Sequence, residues 1–283
     1  MPGLMRIFKR RKNNVIPGFG LSMGITLTML SLVVLIPLAS VLLILSDYTF
    51  AQFWQVITDP KTISTYRVSL GCAAIAALIN VVFGVLLAWV LTRYKFPGRR
   101  ILDSLIELPF ALPTAVAGIA LTTLYSDKGW IGSLFEKIGV KISYTTVGIT
   151  IALIFIGIPF VVRSIQPVLE SLDAGYEEAA SILGASKARI FFRVVFPEIL
   201  PAAMTGFALA LARGIGEYGS VVFIAGNIPY ETQITPLIIM NFLEQFNYPA
   251  ATSIALVMIV FSFVVLFGIN ILQSKVNKVA RGS

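Results

Sequence analysis

Histidine is absent from all 283 residues. That removes the commonest general base and the commonest metal ligand. A Ser/His/Asp set and an HExxH zinc helix are excluded with it. Cysteine is nearly absent too. Cys72 stands alone in an apolar run, so neither an internal disulfide nor a cysteine-rich metal site can form. No Gly-x4-Gly-Lys-Ser/Thr stretch occurs, so the chain does not hold ATP in the P-loop manner. No enzyme signature is left. Charge is also scarce: 13% of the residues are Asp, Glu, Lys or Arg, where soluble domains have about 25%.

What is present is apolar. Hydrophobic residues make up 57% of the chain. Length alone allows one or two soluble domains, but this composition is that of a multi-span membrane protein. A basic start, Arg6 to Lys12, precedes the uncharged run Leu21–Leu45. That run exceeds the roughly 7–15 residues of a signal core and meets the roughly 20 of a spanning helix, so a retained first span is expected. Gly20 and Gly24 open it at a spacing that allows close helix approach. Five more spans are predicted: Ser69–Leu91, Leu108–Leu124, Val147–Val162, Pro201–Ala225 and Ser253–Leu272. Pro109 and Pro113 fall in the third, which is expected to be broken or kinked.

The net charge of +8 raises the question of nucleic acid, but its distribution answers differently. Of 22 Lys and Arg residues, 16 fall on one side of the predicted spans and 5 on the other. Arg213 is the remaining one, inside the fifth span. The basic side is expected to be cytoplasmic, with both termini on it. A membrane partner, and no nucleic acid, is the reading. Tyr48, Phe50, Phe53 and Trp54 follow the first span where an outer aromatic belt belongs. In the outer loop 226–249, Thr235-Pro236 reads as a helix cap followed by proline, opening a short helix at the interface.

One polar interval differs from an ordinary loop. It runs from Tyr176 to Pro197 on the basic side. Asp173 is placed to cap a short helix, with Glu177 and Glu178 in its first turns. Gly184 stops that helix, Ser186 caps a second one from Lys187 to Arg193, and Pro197 is expected to end it. The spacing is Glu178-Ala179-Ala180, three residues, Gly184, nine residues, then Val194-Val195-Phe196-Pro197. It resembles the EAA loop of ABC importer permeases, departing only at Val194 and Phe196, which stay apolar. Leu108–Leu121, Ile158–Glu170, Gly216–Pro229 and Arg93–Arg99 are similar to permeases for tetrahedral oxyanions. They look most like the T-subunit family of the sulfate/thiosulfate importers. Molybdate permeases share parts of them, so another oxyanion stays open.

The resemblance covers about Pro17 to Ser274. It implies the all-α type I ABC importer permease fold with six transmembrane helices, in a bacterial inner membrane. It divides the chain into 1–65 (tail, first helix and outer segment), a core at 66–274 with a docking loop at 168–198, and a basic tail at 275–283. It implies a second, similar permease subunit, two copies of a cytoplasmic ATPase and an extracytoplasmic sulfate-binding protein. Glu178, Ala179, Ala180, Gly184 and Pro197 would dock the ATPase. ATP and magnesium would belong to that partner, leaving no cofactor and no enzymatic activity here. A secondary transporter or channel would need no ATPase, and its usual mark is inverted repeats; none is visible.

Arg213 and Glu217 are the only charges deep in a predicted span. Counted from Pro201, Arg213 lies about 18 Å along a helix that crosses a core roughly 30 Å thick. A charge there costs about 2.5–3.5 kcal/mol on insertion scales. Spacing of four predicts one helical face and a pair. Two readings follow. The face lines an anion path, or the pair is structural and never meets substrate.

Overall fold

The computed structural model describes the backbone of residues 19–282 and the side chains of residues 19–274. The basic clusters Arg6–Lys12 and Lys275–Arg281 lie outside the described side chains. The described residues contain helices and turns and no strand. They fall into two compact units, Met1–Asp47 and Tyr48–Ser283.

Among the described residues the first unit contains one helix, α1, Phe19–Leu45, apolar on all sides. Its ladder widens into a π turn at Ser31–Leu35, closed by the Ile36 N–H on the Ser31 carbonyl. Pro37 follows directly. A proline lacks the donor for the next rung, and the wider turn lets the ladder change register just before it.

The second unit opens with α2, Phe50–Thr58, held by a reciprocal capping box between Thr49 and Gln52. Asp59 then caps α3, Pro60–Arg93, with proline at its first position. α4 is Arg99–Ala111, α5 Thr114–Tyr125 and α6 Gly132–Glu136. α7, Thr146–Ser171, runs through both Pro159 and Pro167. α8 is Ala174–Ile182, α9 Lys187–Ile215 and α10 Val221–Ile224. α11, Thr235–Glu244, and α12, Tyr248–Gly282, complete it.

The core of this unit is the α3–α7–α9 triple. In lipid there is little hydrophobic gain in pairing helices, so close packing must hold them. The sequence supplies small residues for it. Ala73, Ala76, Ala77 and Ala88 of α3 are buried, with Ala203 and Ala210 of α9. Gly84 and Gly206 straddle Val161 of α7. A Cβ at Gly84 would come 2.6 Å from Val161 Cγ1, and one at Gly206 would come 2.7 Å from Val161 Cα. The outer faces carry exposed Ile75, Leu78, Val82 and Leu86 on α3 and Phe263, Val264 and Phe267 on α12. α1, α3, α7, α9 and α12 are long and apolar enough to cross a membrane.

One expectation holds and three are corrected. The third span is broken, as expected: α4 and α5 meet at a bend of 114°, and among the described residues this pair, taken as one span, brings the number to six. Pro109 is carried inside α4; the break falls at Leu112-Pro113, because a residue before proline is pushed out of the helical region. Pro197 does not end a helix. A second π turn, Phe191–Val195, closes on Phe196, and α9 continues through Pro197 to Ile215. The device is the one seen before Pro37. The fifth span therefore stops at Ile215, ten residues short of Ala225, and Glu217 lies beyond the helix. Finally, Thr235 does not cap α11. Its N–H donates to Ser69 Oγ on α3 at 2.7 Å and its hydroxyl faces Thr65, so α11 packs on α3 and α12.

Candidate functional site

The docking loop is built almost entirely from local rules. Asp173 accepts the N–H of Gly175 at 2.9 Å and starts α8. The helix stops in a Schellman turn: Ala185 N–H donates to the Ala180 carbonyl at 3.1 Å and Gly184 N–H to Ser181 at 3.0 Å. Gly184 has φ +81°, the left-handed conformation that side chains avoid. Ser186 then accepts the Arg189 N–H at 3.4 Å and starts α9. The two helices are thus joined with their end groups satisfied.

The turn presents apolar surface. Ile182 is 86% exposed and Leu183 87%. Tyr176, on α8, is exposed as well. Such a knob, alone at a polar loop, has the chemistry of a contact with another protein. Glu178 and Ala179 are exposed, Ala180 half-buried. Pro197 lies further along, exposed on the first turns of α9 past the π segment.

What ties this loop to the membrane core is Arg93, which the sequence marks only as a basic-side charge and as the first residue of the stretch Arg93–Arg99. It ends α3. Its guanidinium lies 2.7 Å from Glu177, in an ion pair about one-fifth exposed on both sides. It also donates to the Leu172 carbonyl at 3.3 Å and stands 5.9 Å above the Trp89 ring. Trp89 in turn meets Phe191 edge-on at 5.3 Å, at the π turn. A groove of about 660 Å³ lies between α3 and the loop, lined by Trp89, Arg93, Glu177, Glu178, Lys187 and Phe191 among others. A force on α8 therefore reaches α3 and α9 through one arginine and one aromatic pair. The partners are 84 residues apart in sequence, so no local pattern announces them. A second clasp sits nearby: Arg163 of α7 holds Asp103 and Glu107 of α4, both at 2.8 Å.

The structure brings Arg213 and Glu217 together, though not on one helical face. Arg213 is near the end of α9, and Glu217 lies in the turn beyond Gly216. Their nearest atoms, Nη1 and Oε2, are 2.5 Å apart. Glu217 is 2% exposed, and its other oxygen accepts the N–H and hydroxyl of Ser220 at 2.9 and 3.0 Å. The carboxylate is thus fully engaged, tying the end of α9 to the start of α10. Arg213 is not: its side chain is 38% exposed. Opposite the turn, α5 comes so close that a Cβ on Gly118 would lie 2.8 Å from Ser220 Cα. A helix broken at an ion pair, against a second broken element, is how membrane proteins bring polar groups to a passage. The signal for the break was the run Gly214, Gly216, Gly219. Among the described residues no group of three or more Cys, Asp or Glu side chains is arranged to hold a metal ion.

Comparison with known proteins bears on this arrangement. Residues 80–278 match the family described as "Binding-protein-dependent transport system inner membrane component". The chain is 48% identical to "Sulfate transport system permease protein CysT" of Escherichia coli (strain K12), over 96% of this chain and 98% of that one. It is 53% identical to "Probable sulfate transport system permease protein cysT" of Chlorokybus atmophyticus, over 88% and 87%. Among solved structures, a chain from a bacterial ABC transporter involved in the import of the acidic polysaccharide alginate superposes with a TM-score of 0.77. It covers 91% of this chain and 96% of that chain at 16% identity, a likeness of fold. That fold is the one of type I ABC importer permeases, and the protein is a multi-pass component of the inner membrane. With its family pattern running from the second half of α3 through α7, α9 and the loop that Arg93 holds, the chain belongs to the binding-protein-dependent transport system inner membrane components.

Proposed function

We propose that this chain is a permease subunit of an ATP-driven importer of sulfate and thiosulfate. The observation that carries the reading is 48% identity to a sulfate permease over nearly the full length of both chains. It acts with a second, similar permease subunit, two copies of a cytoplasmic ATPase and an extracytoplasmic sulfate-binding protein. ATP, with its magnesium, is hydrolysed on the ATPase and not on this chain.

The geometry supports the following mechanism. The ATPase receives the knob of Ile182 and Leu183, set by Glu178, Ala179, Ala180 and Gly184. Closure of the ATPase pair moves α8 as a rigid unit, because both ends of the loop are capped. Arg93 passes that movement to α3, and the continuous α9, running through Pro197, passes it to the Arg213 turn. The passage then opens to the anion delivered outside. The exposed side of Arg213 faces that path, while Glu217 holds it in place. The second permease subunit completes the passage.

Two experiments bear on this. Cells lacking their own sulfate permeases, given this chain with its partner genes, are expected to take up radiolabelled sulfate, with excess thiosulfate competing strongly. Uptake blocked by molybdate and not by thiosulfate moves the substrate to another oxyanion. The orientation has its own test. Single cysteines are placed at Ser186 and Glu231 in a Cys72→Ala background. An impermeant thiol reagent added outside is expected to label Glu231→Cys only. Glu231 is the reporter because it is exposed, whereas Gln233, in the same loop, is 2% exposed and donates to Asn227 at 2.8 Å. Labelling of Ser186→Cys from outside would reverse the orientation and remove the docking role.

A further inference from the structure

α4 has three faces, not two. Leu102, Ile106 and Pro109 turn toward the protein, half-buried to buried. Asp103 and Glu107 both pair with the one guanidinium of Arg163 on α7. The third face is apolar and uncovered: Ile101 is 68% exposed and Leu105 54%, with Leu108 one turn on. Where this face begins lies a shallow groove of about 380 Å³, lined by Lys95, Phe96, Gly98, Arg99, Arg100 and Ile101. Among the described residues none of its three cations makes an ion pair. The groove sits just past Arg93, so it lies at the same end of the bundle as the docking loop.

Three free cations beside an apolar stripe, on a helix steeply bent from the next, match a molecule that is anionic at one end and apolar along its length. We infer that the first turn of α4 lies at the membrane surface and that Lys95, Arg99 and Arg100 bind the phosphate of an anionic phospholipid. The acyl chains run along Ile101, Leu105 and Leu108. The charge complementarity decides between occupants. A helix of another protein would cover the stripe but leave the three cations without partners. A free phosphate would answer the cations and leave the stripe exposed. Both carboxylates on α4 are drawn to Arg163 on α7, which offsets one of their two charges. A surface base contributes about 1 kcal/mol toward anionic lipid, which converts to about fivefold in association.

The test is native mass spectrometry of the detergent-solubilised full chain, titrated with equimolar phosphatidylglycerol and phosphatidylcholine. Wild type is expected to retain phosphatidylglycerol in preference. Lys95→Gln, Arg99→Gln and Arg100→Gln are each expected to lower that preference about fivefold. Lys187→Gln with Arg189→Gln, equally basic but on the docking loop, leaves it unchanged. Arg99→Lys with Arg100→Lys keeps it, which shows that a loss elsewhere is of charge and not of folding. Ile101→Ser with Leu105→Ser lowers retention of both lipids. Equal retention of the two lipids by wild type, or a preference that survives all three Gln changes, overturns the inference. So does displacement of the lipid by inorganic phosphate alone, which would make the groove a phosphate site.

Discussion

Arg213→Gln alone is expected to destabilise the permease severely, while Arg213→Gln with Glu217→Gln restores most of the loss. The single change leaves a carboxylate that is 2% exposed without its counter-charge. Breaking one side of a buried pair costs about 3–5 kcal/mol, against near neutrality when both charges go. Arg213 is 38% exposed, which places the loss at the lower end of that range. Glu217→Gln alone keeps an acceptor for Ser220 but strands the arginine, and a half-exposed arginine can find water or lipid headgroups. It is expected to be the milder single change. Detergent-resistant assembly and thermal unfolding of the purified complex read these effects. Transport separates the roles. If Arg213 also lines the path, the double variant assembles and couples but carries little sulfate. Near-normal uptake by the double variant would leave only the structural pair.

Gly184→Val is expected to abolish sulfate uptake with the chain still inserted. Position 184 is open, with no atom within 4 Å of an added Cβ, so crowding is not the cause. The cause is the backbone: φ +81° is poorly reached by a β-branched residue, at a cost of about 1–3 kcal/mol. α8 does not need this turn to form, since Asp173 and its own ladder suffice. The turn instead rotates away, taking Ile182 and Leu183 out of register with the partner. Gly184→Asn, which tolerates the left-handed region, is expected to retain most of the uptake. Co-purification of the ATPase with tagged chain is the measurement. Retention by the Asn variant and loss by the Val variant fit the turn; equal behaviour of the two would assign the effect elsewhere.

These two sites were not equally legible in the chain. The docking loop was, because caps and Schellman glycines act over three to six residues, and Asp173, Gly184 and Ser186 each do what their local position predicts. Its attachment was not: Glu177 meets Arg93 only after α3, α7 and α8 have packed. Prolines misled in opposite directions. Pro113 marks a true break, whereas Pro197 sits inside a helix, and only the π turn ahead of it explains the difference. Hydrophobicity placed the long spans but extended the fifth too far, since Val221 to Ala225 is as apolar as the helix it no longer belongs to. The Arg213–Glu217 pair was found for a reason that did not hold. Glu217 reaches Arg213 from the turn just past the end of the helix, not from a helical face.

The most direct measurement is sulfate uptake into proteoliposomes. They hold the whole complex, with the ATPase facing outward and the binding protein with labelled sulfate trapped inside, and export to the medium is followed. Transport toward the ATPase side is expected only when ATP is added, to stop without binding protein, and to be lost in Gly184→Val. Sulfate movement that runs without ATP, driven by its own gradient or by a proton gradient, would contradict the account and make the chain a secondary transporter or channel.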